Sequence, residues 1–519
     1  MDDRKTQSQW SLIWQQFKKR KTAVVALIII VILVSSAVFA PFIANNRPLV
    51  YSGKNYFEYK RALLDLRGVI RQLDHHTTDG KLVTGNIEDE FILRLTTQVD
   101  GQLTEEYRQQ FTPFKSQIEK LVTQQPLSVE QYQTIEPLRQ DLRRQFRSSQ
   151  VELKTRTSFP IIHSIGPLSA TLITWNLVLL CIPLWGRILR RWSGNWDPGQ
   201  WQRCLLLLFG VLPLVVGIIW YTAVPSYVDN ADYKAATFAN EGMEITNNTD
   251  IVYEWCTWPL IPYGFAESHL RAKNTSPMAL GKDEIDQQGT IWVKPHILGT
   301  DGQGRDLASR MVWGGQVSLA VGIVAVSIYV FIGIIVGSVA GYFRGKVDMI
   351  ISRLIEVVIC FPHFFLIIAI VAFLGPGIFK IMIIIGLTAW TGVARLIRGE
   401  FLRLGNQEFV LAGRSLGYSS KRIIFKHVLP NAIAPVLVSA TFGIAGAILT
   451  ESALSFLGLG ITIPIPSWGG ILSTGRESMN IAPWIIFSPG IAIFITITCY
   501  NLVGEALRDA SDPRLRGQR

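Results

Sequence analysis

The chain has 519 residues, 49% hydrophobic and 17% charged, with a mean hydropathy of +0.28. That balance excludes a disordered chain and fits poorly with an ordinary soluble enzyme. The formal net charge of +11 does not point to nucleic acid, because the basic residues sit beside apolar runs, as topology charges do.

A bilayer core about 30 Å thick needs about 20 apolar residues per helix. Eight segments are predicted to cross: about Thr22–Ala44, Leu168–Gly186, Cys204–Val224, Val317–Phe343, Leu354–Leu374, Gly377–Val393, Ala432–Leu457 and Ile481–Gly504. The first has too long an apolar run for a cleaved signal peptide and reads as a retained anchor. Between the first and second lies a polar stretch, about 45–167. Its apolar positions Phe114, Ile118, Leu121 and Val122, then Leu138, Leu142 and Phe146, follow helical spacing and predict a small helical subdomain. The His75-His76 pair within it cannot face one metal from a single helix. A second polar stretch, about 225–311, carries Tyr253, Trp255, Trp258 and Tyr263. The hairpin of spans two and three, with the first polar stretch, reads as an insertion into a six-span core.

Orientation follows from lysine and arginine in the short loops. Arg4 to Lys21, Arg187 to Arg203, Arg344 to Arg353, Arg395 to Lys426 and Arg508 to Arg519 fall on one side. The short loops opposite offer only Lys380 and Arg476. Both termini are therefore expected in the cytosol, and both polar stretches outside. The five cysteines are scattered, with no CxxC and no disulfide framework.

The segment Glu408 to Pro430 is too long for a connector between spans. Ala412 and Leu416 share one helical face. Gly417 suits the end of one helix and a change of direction into the next. Pro430 suits the opening of the following span, where a missing N–H does no harm. A helix–turn–helix on the cytosolic face is a docking element. The chain has no nucleotide site of its own. The nearest P-loop mimic, Gly341 to Val347, is one residue short between its glycines and lacks the Ser/Thr for magnesium.

Four motifs now converge. Leu411-Ala412-Gly413, Gly417 and His427-Val428-Leu429-Pro430 resemble the EAA loop of ABC importer permeases, with Leu411 in the acidic position, Gly413 in the second alanine position and His427 in the isoleucine position. His296 to Asp306 is similar to the LGTDxxGRD signature of peptide-importer permeases. Glu451 to Gly460 with Pro466 to Gly469, and Leu507 to Leu515, resemble that family's fifth core span and cytosolic tail. Together they mark the C-type permease of the oligopeptide/dipeptide/nickel family, loosely over 1–48 and closely over 294–517.

The resemblance implies an all-α integral membrane protein: a six-span ABC type I importer permease core, an inserted two-span hairpin and an external helical subdomain. The division is 1–44 (N-terminus and anchor), 45–167 (external insertion), 168–224 (hairpin), 225–311 (external segment), 312–508 (permease domain, with the EAA-like loop at 399–430) and 509–519 (tail). It implies residence in a bacterial inner membrane. The expected partners are a second permease, cytosolic ABC ATPase subunits and an external substrate-binding protein. No catalytic residue, metal or cofactor is expected. Coupling to the ATPase falls to Glu408, Leu411, Ala412, Gly413, Arg414, Gly417, Lys421, Leu429 and Pro430. Glu451, near the outer end of its span, is either a pathway or gate contact or an interfacial cap of the following turn. Asp301, Arg305 and Asp306 form a second gate candidate, as a carboxylate–guanidinium lock. The expected cargo is peptide. Nickel or another small solute, or secondary transport without ATP, are the alternatives, and a membrane-anchored interaction protein is a third class.

Overall fold

The computed structural model describes residues 9–56, 94–109, 153–182, 203–224, 251–279, 295–461 and 464–511, with isolated positions between 59 and 137. The apolar positions Phe114 to Phe146 that predicted amphipathic helices, the His75-His76 pair, most of the Arg187–Arg203 loop and the tail from 512 onward lie outside these residues.

The helices that matter here are α1 (Gln9–Lys19), α2 (Lys21–Val38), α3 (Pro167–Leu180), α4 (Leu212–Ala223), α5 (Leu307–Phe343), α6 (Gly345–Cys360), α7 (His363–Leu374), α8 (Ile378–Leu404), α9 (Glu408–Ser415), α10 (Leu429–Phe456), α11 (Trp468–Glu477) and α12 (Trp484–Ser511). Among the described residues six helices are long and apolar enough to cross a membrane, and α6 with α7 makes a seventh, broken span. The second predicted span is described only as the 14-residue α3, because its continuation from 183 is not described.

The chain divides into two compact units. The first comprises 1–45, 172–204 and 263–519. Its main core joins α5, α7, α8 and α10 through Val326, Ile367, Ile385, Val393, Ile397 and Val436. A second cluster joins α2, α5, α10 and α12 through Ala26, Ile30, Leu319, Ile448 and Tyr500. The α5–α8 contact is the most extensive. Gly333, Gly337 and Gly341 form a stripe on α5 at every fourth residue. A Cβ on Gly333 would lie 2.6 Å from Val393, and one on Gly341 2.6 Å from Phe401. Small residues let helix backbones approach where lipid gives no hydrophobic drive for association. Gly337→Val is therefore expected to destabilise this pair by about 1–3 kcal/mol, read as a lower melting temperature of the detergent-purified chain.

Three predicted boundaries move, each for a local reason. The fifth span is not one rod. It breaks between α6 and α7 with a bend of 79°. Pro362 supplies no N–H, and it holds Phe361 in an extended conformation at φ −85°, ψ 126°. The sixth span runs on to Leu404, because Ala394, Ile397, Phe401 and Leu404 continue its buried face. Arg395, Arg398 and Arg403 thus belong to this helix, not to a loop. The seventh does not open at Pro430. A single helical rod covers Ser420–Phe456, passing through a wider π-type turn at Ile423–Val428 just before the proline.

The second unit comprises 46–171 and 205–262. An antiparallel sheet has β1 (Val50–Asn55) at its centre, with β2 (Arg156–Ser158) on one side and β3 (Ile251–Thr257) on the other. The two polar segments expected as separate pieces, the first of them helical, are thus joined by strands at their ends. Tyr51, Ser52 and Gly53 pair on both sides, so the centre of this sheet has no free edge. Also within this unit, Gly217 of α4 sits against Thr171 and Pro167, and Trp220 Nε1 donates to Ile165 O at 2.7 Å.

Candidate functional site

The loop at Glu408–Pro430 is built by a helix stop. After α9, Gly417 takes φ +72°, a conformation open to glycine at low cost. Its N–H donates to Arg414 O at 2.9 Å, and Tyr418 N–H donates to Gly413 O at 3.1 Å. That pair of bonds is a Schellman cap. Ser419 then caps the next helix, its hydroxyl accepting from Arg422 N–H. Tyr418 is clamped between them: Arg422 lies 3.9 Å from its ring centre, and His427 stacks on it at 5.7 Å. His427, in a position that is isoleucine in the motif, keeps that contact as an aromatic one. Gly413 is buried, yet a Cβ there would meet only Tyr418 at an ordinary 3.5 Å, so the missing alanine leaves no backbone constraint.

On α9, Val410 and Gly413 face inward, while Glu408, Leu411, Ala412 and Ser415 form one exposed row. Phe409, Leu416 and Phe425 extend the apolar part of that surface. Arg414, Lys421, Arg422 and Lys426 supply its positive charge. Exposed apolar patches rimmed by polar groups mark partner contacts. Leu429 is half-buried and packs on the main core, and Pro430 lies on the exposed side of the same rod.

The loop and the residues leading into it are tied to the spans at two points, and a third contact ties the spans to one another. Arg414 lies 5.5 Å from the Tyr342 ring centre of α5. Arg344, between α5 and α6, donates to Asn406 Oδ1 at 3.0 Å and Leu402 O at 3.3 Å. Arg398 of α8 grips Asp348 of α6 with two nitrogens, one of them at 2.8 Å. A bidentate guanidinium–carboxylate pair fixes direction as well as distance. Side-chain contacts thus link α9 to α5 and α8 to α6, and one continuous rod leads from the loop into α10.

At the opposite end of α5, His296 to Arg310 fold into a buried polar knot. Asp301 Oδ1 accepts from Gln303 N–H at 2.9 Å and Arg305 N–H at 3.0 Å. Its Oδ2 meets Arg305 Nε at 2.7 Å and Arg310 Nε at 3.5 Å. Asp306 caps α5, accepting from Ser309 N–H at 2.6 Å, and its other oxygen meets His296 Nδ1 at 2.7 Å. The three motif residues are thus brought together, but Asp306 pairs with histidine and Asp301 with both arginines. Gly304 has φ +72°, and a Cβ there would strike His269 O.

Glu451 is wholly buried. It accepts from Ser455 Oγ at 2.7 Å and from Ser318 Oγ of α5 at 3.0 Å. Ser318 Oγ in turn accepts from Trp468 N–H at 3.2 Å. The carboxylate therefore joins α5, α10 and the start of α11. It does not share a hydrogen-bond set with Asp301, Arg305 or Asp306.

Residues 333–517 match the family model described as "Binding-protein-dependent transport system inner membrane component". Residues 8–61 match "N-terminal TM domain of oligopeptide transport permease C". The oligopeptide transport system permease protein OppC of Haemophilus influenzae is 45% identical over 221 residues, 43% of this chain and 71% of that protein. The chain belongs to this permease family. Similar too are the dipeptide transport system permease proteins DppC of Alkalihalophilus pseudofirmus (42% over 221 residues, 43% of this chain and 73% of that one) and of Bacillus subtilis (38% over 242 residues, 46% and 76%). The permease is a multi-pass inner-membrane transport subunit of the ABC type I importer kind. The larger matched region holds the end of α5, all of α6 to α12 and the Glu408–Pro430 loop, while 62–332 lies between the two matched stretches.

Several contributing residues carried no usable signal in the sequence. Asp348, Tyr418 and Ser318 lie outside any spacing rule that would pair them with their partners, whereas His296 lies within a quoted motif and Ser455 stands one turn after Glu451. Arg310 could have been suspected, since an arginine opening an apolar helix needs a buried acceptor.

Proposed function

We propose that this permease forms, with a second permease subunit, the passage for oligopeptides or dipeptides handed over by an external substrate-binding protein. The observation that carries the reading is the exposed apolar row of α9, continued by one rod into the α10 span. ATP hydrolysis belongs to separate cytosolic subunits that seat on this row, with Arg414, Lys421 and Arg422 at its rim. Glu408 stands one turn before Leu411 on the same face and supplies the acidic contact that the motif places at 411. Both termini lie in the cytosol, and 45–167 and 225–311 lie outside.

Asp301, Arg305, Asp306 and Glu451 serve the outer gate as its frame, and their burial and mutual bonds support this. The permease names of the similar proteins favour peptide over nickel.

Uptake of a labelled peptide by the native host, with and without this gene, tests the reading. The deletion strain is expected to lose uptake and regain it on complementation, and the purified chain to bring an ATPase with it. Unchanged uptake in the deletion strain, or uptake that persists after ATP depletion and follows an ion gradient, would sink it.

A further inference from the structure

Within the first unit, α5, α7, α8 and α10 line an open cavity of about 420 Å³. It falls within the range of about 300–1,000 Å³ of small-molecule sites. Its lining includes Tyr329, His363, Gly392, Ser439, Gly443 and Gly446, and no Asp, Glu, Lys or Arg. Tyr329, Gly392 and Gly446 lie well inside their helices, so the cavity sits at the middle of the spans.

Two lining groups have defined hydrogen-bonding roles. Thr388 Oγ1 donates its one hydrogen to Ile384 O at 2.8 Å, and it lies 3.0 Å from His363 Nε2. With that hydrogen on Ile384 O, the threonine accepts from the Nε2–H tautomer of His363, whose Nδ1 is then an acceptor. His363 is held there as the first residue of α7, at the 79° break. Tyr329 Oη supplies a donor. A Cβ on Gly443 would collide with that hydroxyl, so the glycine makes room for it. A cavity that offers an imidazole acceptor, hydroxyls of Tyr329 and Ser439 and no charge complements the N–H and C=O of a peptide unit. Polar groups kept at this depth are costly and mark function. Gly392 and Gly446 have nothing within 4 Å of an added Cβ, so they leave open space for a chain passing close to the helix backbones.

We propose that this cavity binds the main chain of an extended peptide in transit, so that this subunit grips its cargo by backbone amides and is indifferent to side-chain charge. This rests on the peptide-importer reading above.

The test uses the complete transporter in the native host, with variants in the chromosomal gene and uptake of labelled trialanine. Gly446→Phe and Gly392→Phe are expected to lower uptake by at least about tenfold, with the chain at its normal level in the membrane and the ATPase still co-purifying. Tyr329→Phe is expected to cost about three- to tenfold, as loss of one hydrogen bond. Gly490→Phe makes the same change at another open glycine, outside the cavity, and should stay within about twofold of wild type. The loss should be equal for neutral, acidic and basic tripeptides.

Normal uptake through the two cavity variants overturns the proposal, as does an equal loss at Gly490 or a loss that depends on peptide charge. Loss of the partner subunits from the purified complex also overturns it, because a partner helix would then be the occupant. If Leu416→Asp abolishes uptake while the cavity variants do not, only this inference fails. If the wild-type gene confers no peptide uptake, the underlying reading fails.

Discussion

Leu416→Asp is expected to abolish peptide uptake while the chain stays folded in the membrane. Leu416 is the C-cap of α9 and is 70% exposed, so its side chain contributes little to the fold. The cap itself depends on backbone bonds of Gly417 and Tyr418, which the substitution leaves in place. At a docking surface the same residue stands among Phe409, Leu411 and Phe425. A truncated hot spot costs at least about 2 kcal/mol of binding, or roughly 30-fold in affinity. A buried carboxylate opposite an apolar pocket costs more. Glu408→Ala, at the polar start of the row, should reduce coupling less, by about tenfold, as loss of one charged contact. Gly413→Ala should be silent or mildly stabilising, since the site accepts a Cβ and glycine is a poor helix former. The measurement is uptake together with the amount of ATPase that co-purifies. Wild-type uptake by the Leu416 variant would remove the docking role from this face.

Asp301→Ala should act on stability instead. It removes the carboxylate from Arg305 and Arg310, which are 2% and 4% exposed, and it deletes the acceptor that holds the Gln303 and Arg305 amides. Breaking a buried pair by removing one partner costs about 3–5 kcal/mol, because the remaining charge is stranded. Melting of the purified chain should fall by roughly 10 °C. Asp301→Asn keeps an acceptor for the turn while losing the charge, so it should fall between the two. If the alanine variant melts like wild type, the knot is not holding the start of α5 in place.

The sequence by itself determined the class of this protein. Apolar runs of bilayer length, the one-sided distribution of Arg and Lys, and the Gly417 stop between two short amphipathic stretches are local features. Each expresses backbone geometry or transfer energy that needs no knowledge of neighbours. The four motifs then narrowed the family.

Other features were decided only by tertiary structure. The fifth predicted span ran unbroken through Phe361–Pro362, where the structure bends by 79°. The fusion of the second half of the loop with α10 was hidden because Pro430 looks like a helix start. A π-type turn before it lets the helix pass through. The partners of Glu451 are one turn along α10 and across on α5, and those of Asp301 and Asp306 lie in the turn before α5 and in its first turn. A hydrogen bond between residues 133 positions apart, such as Ser318 to Glu451, leaves no period in one sequence. The sheet joining β1, β2 and β3 escaped for the same reason, since strand pairing is set by the partner and not by the strand alone.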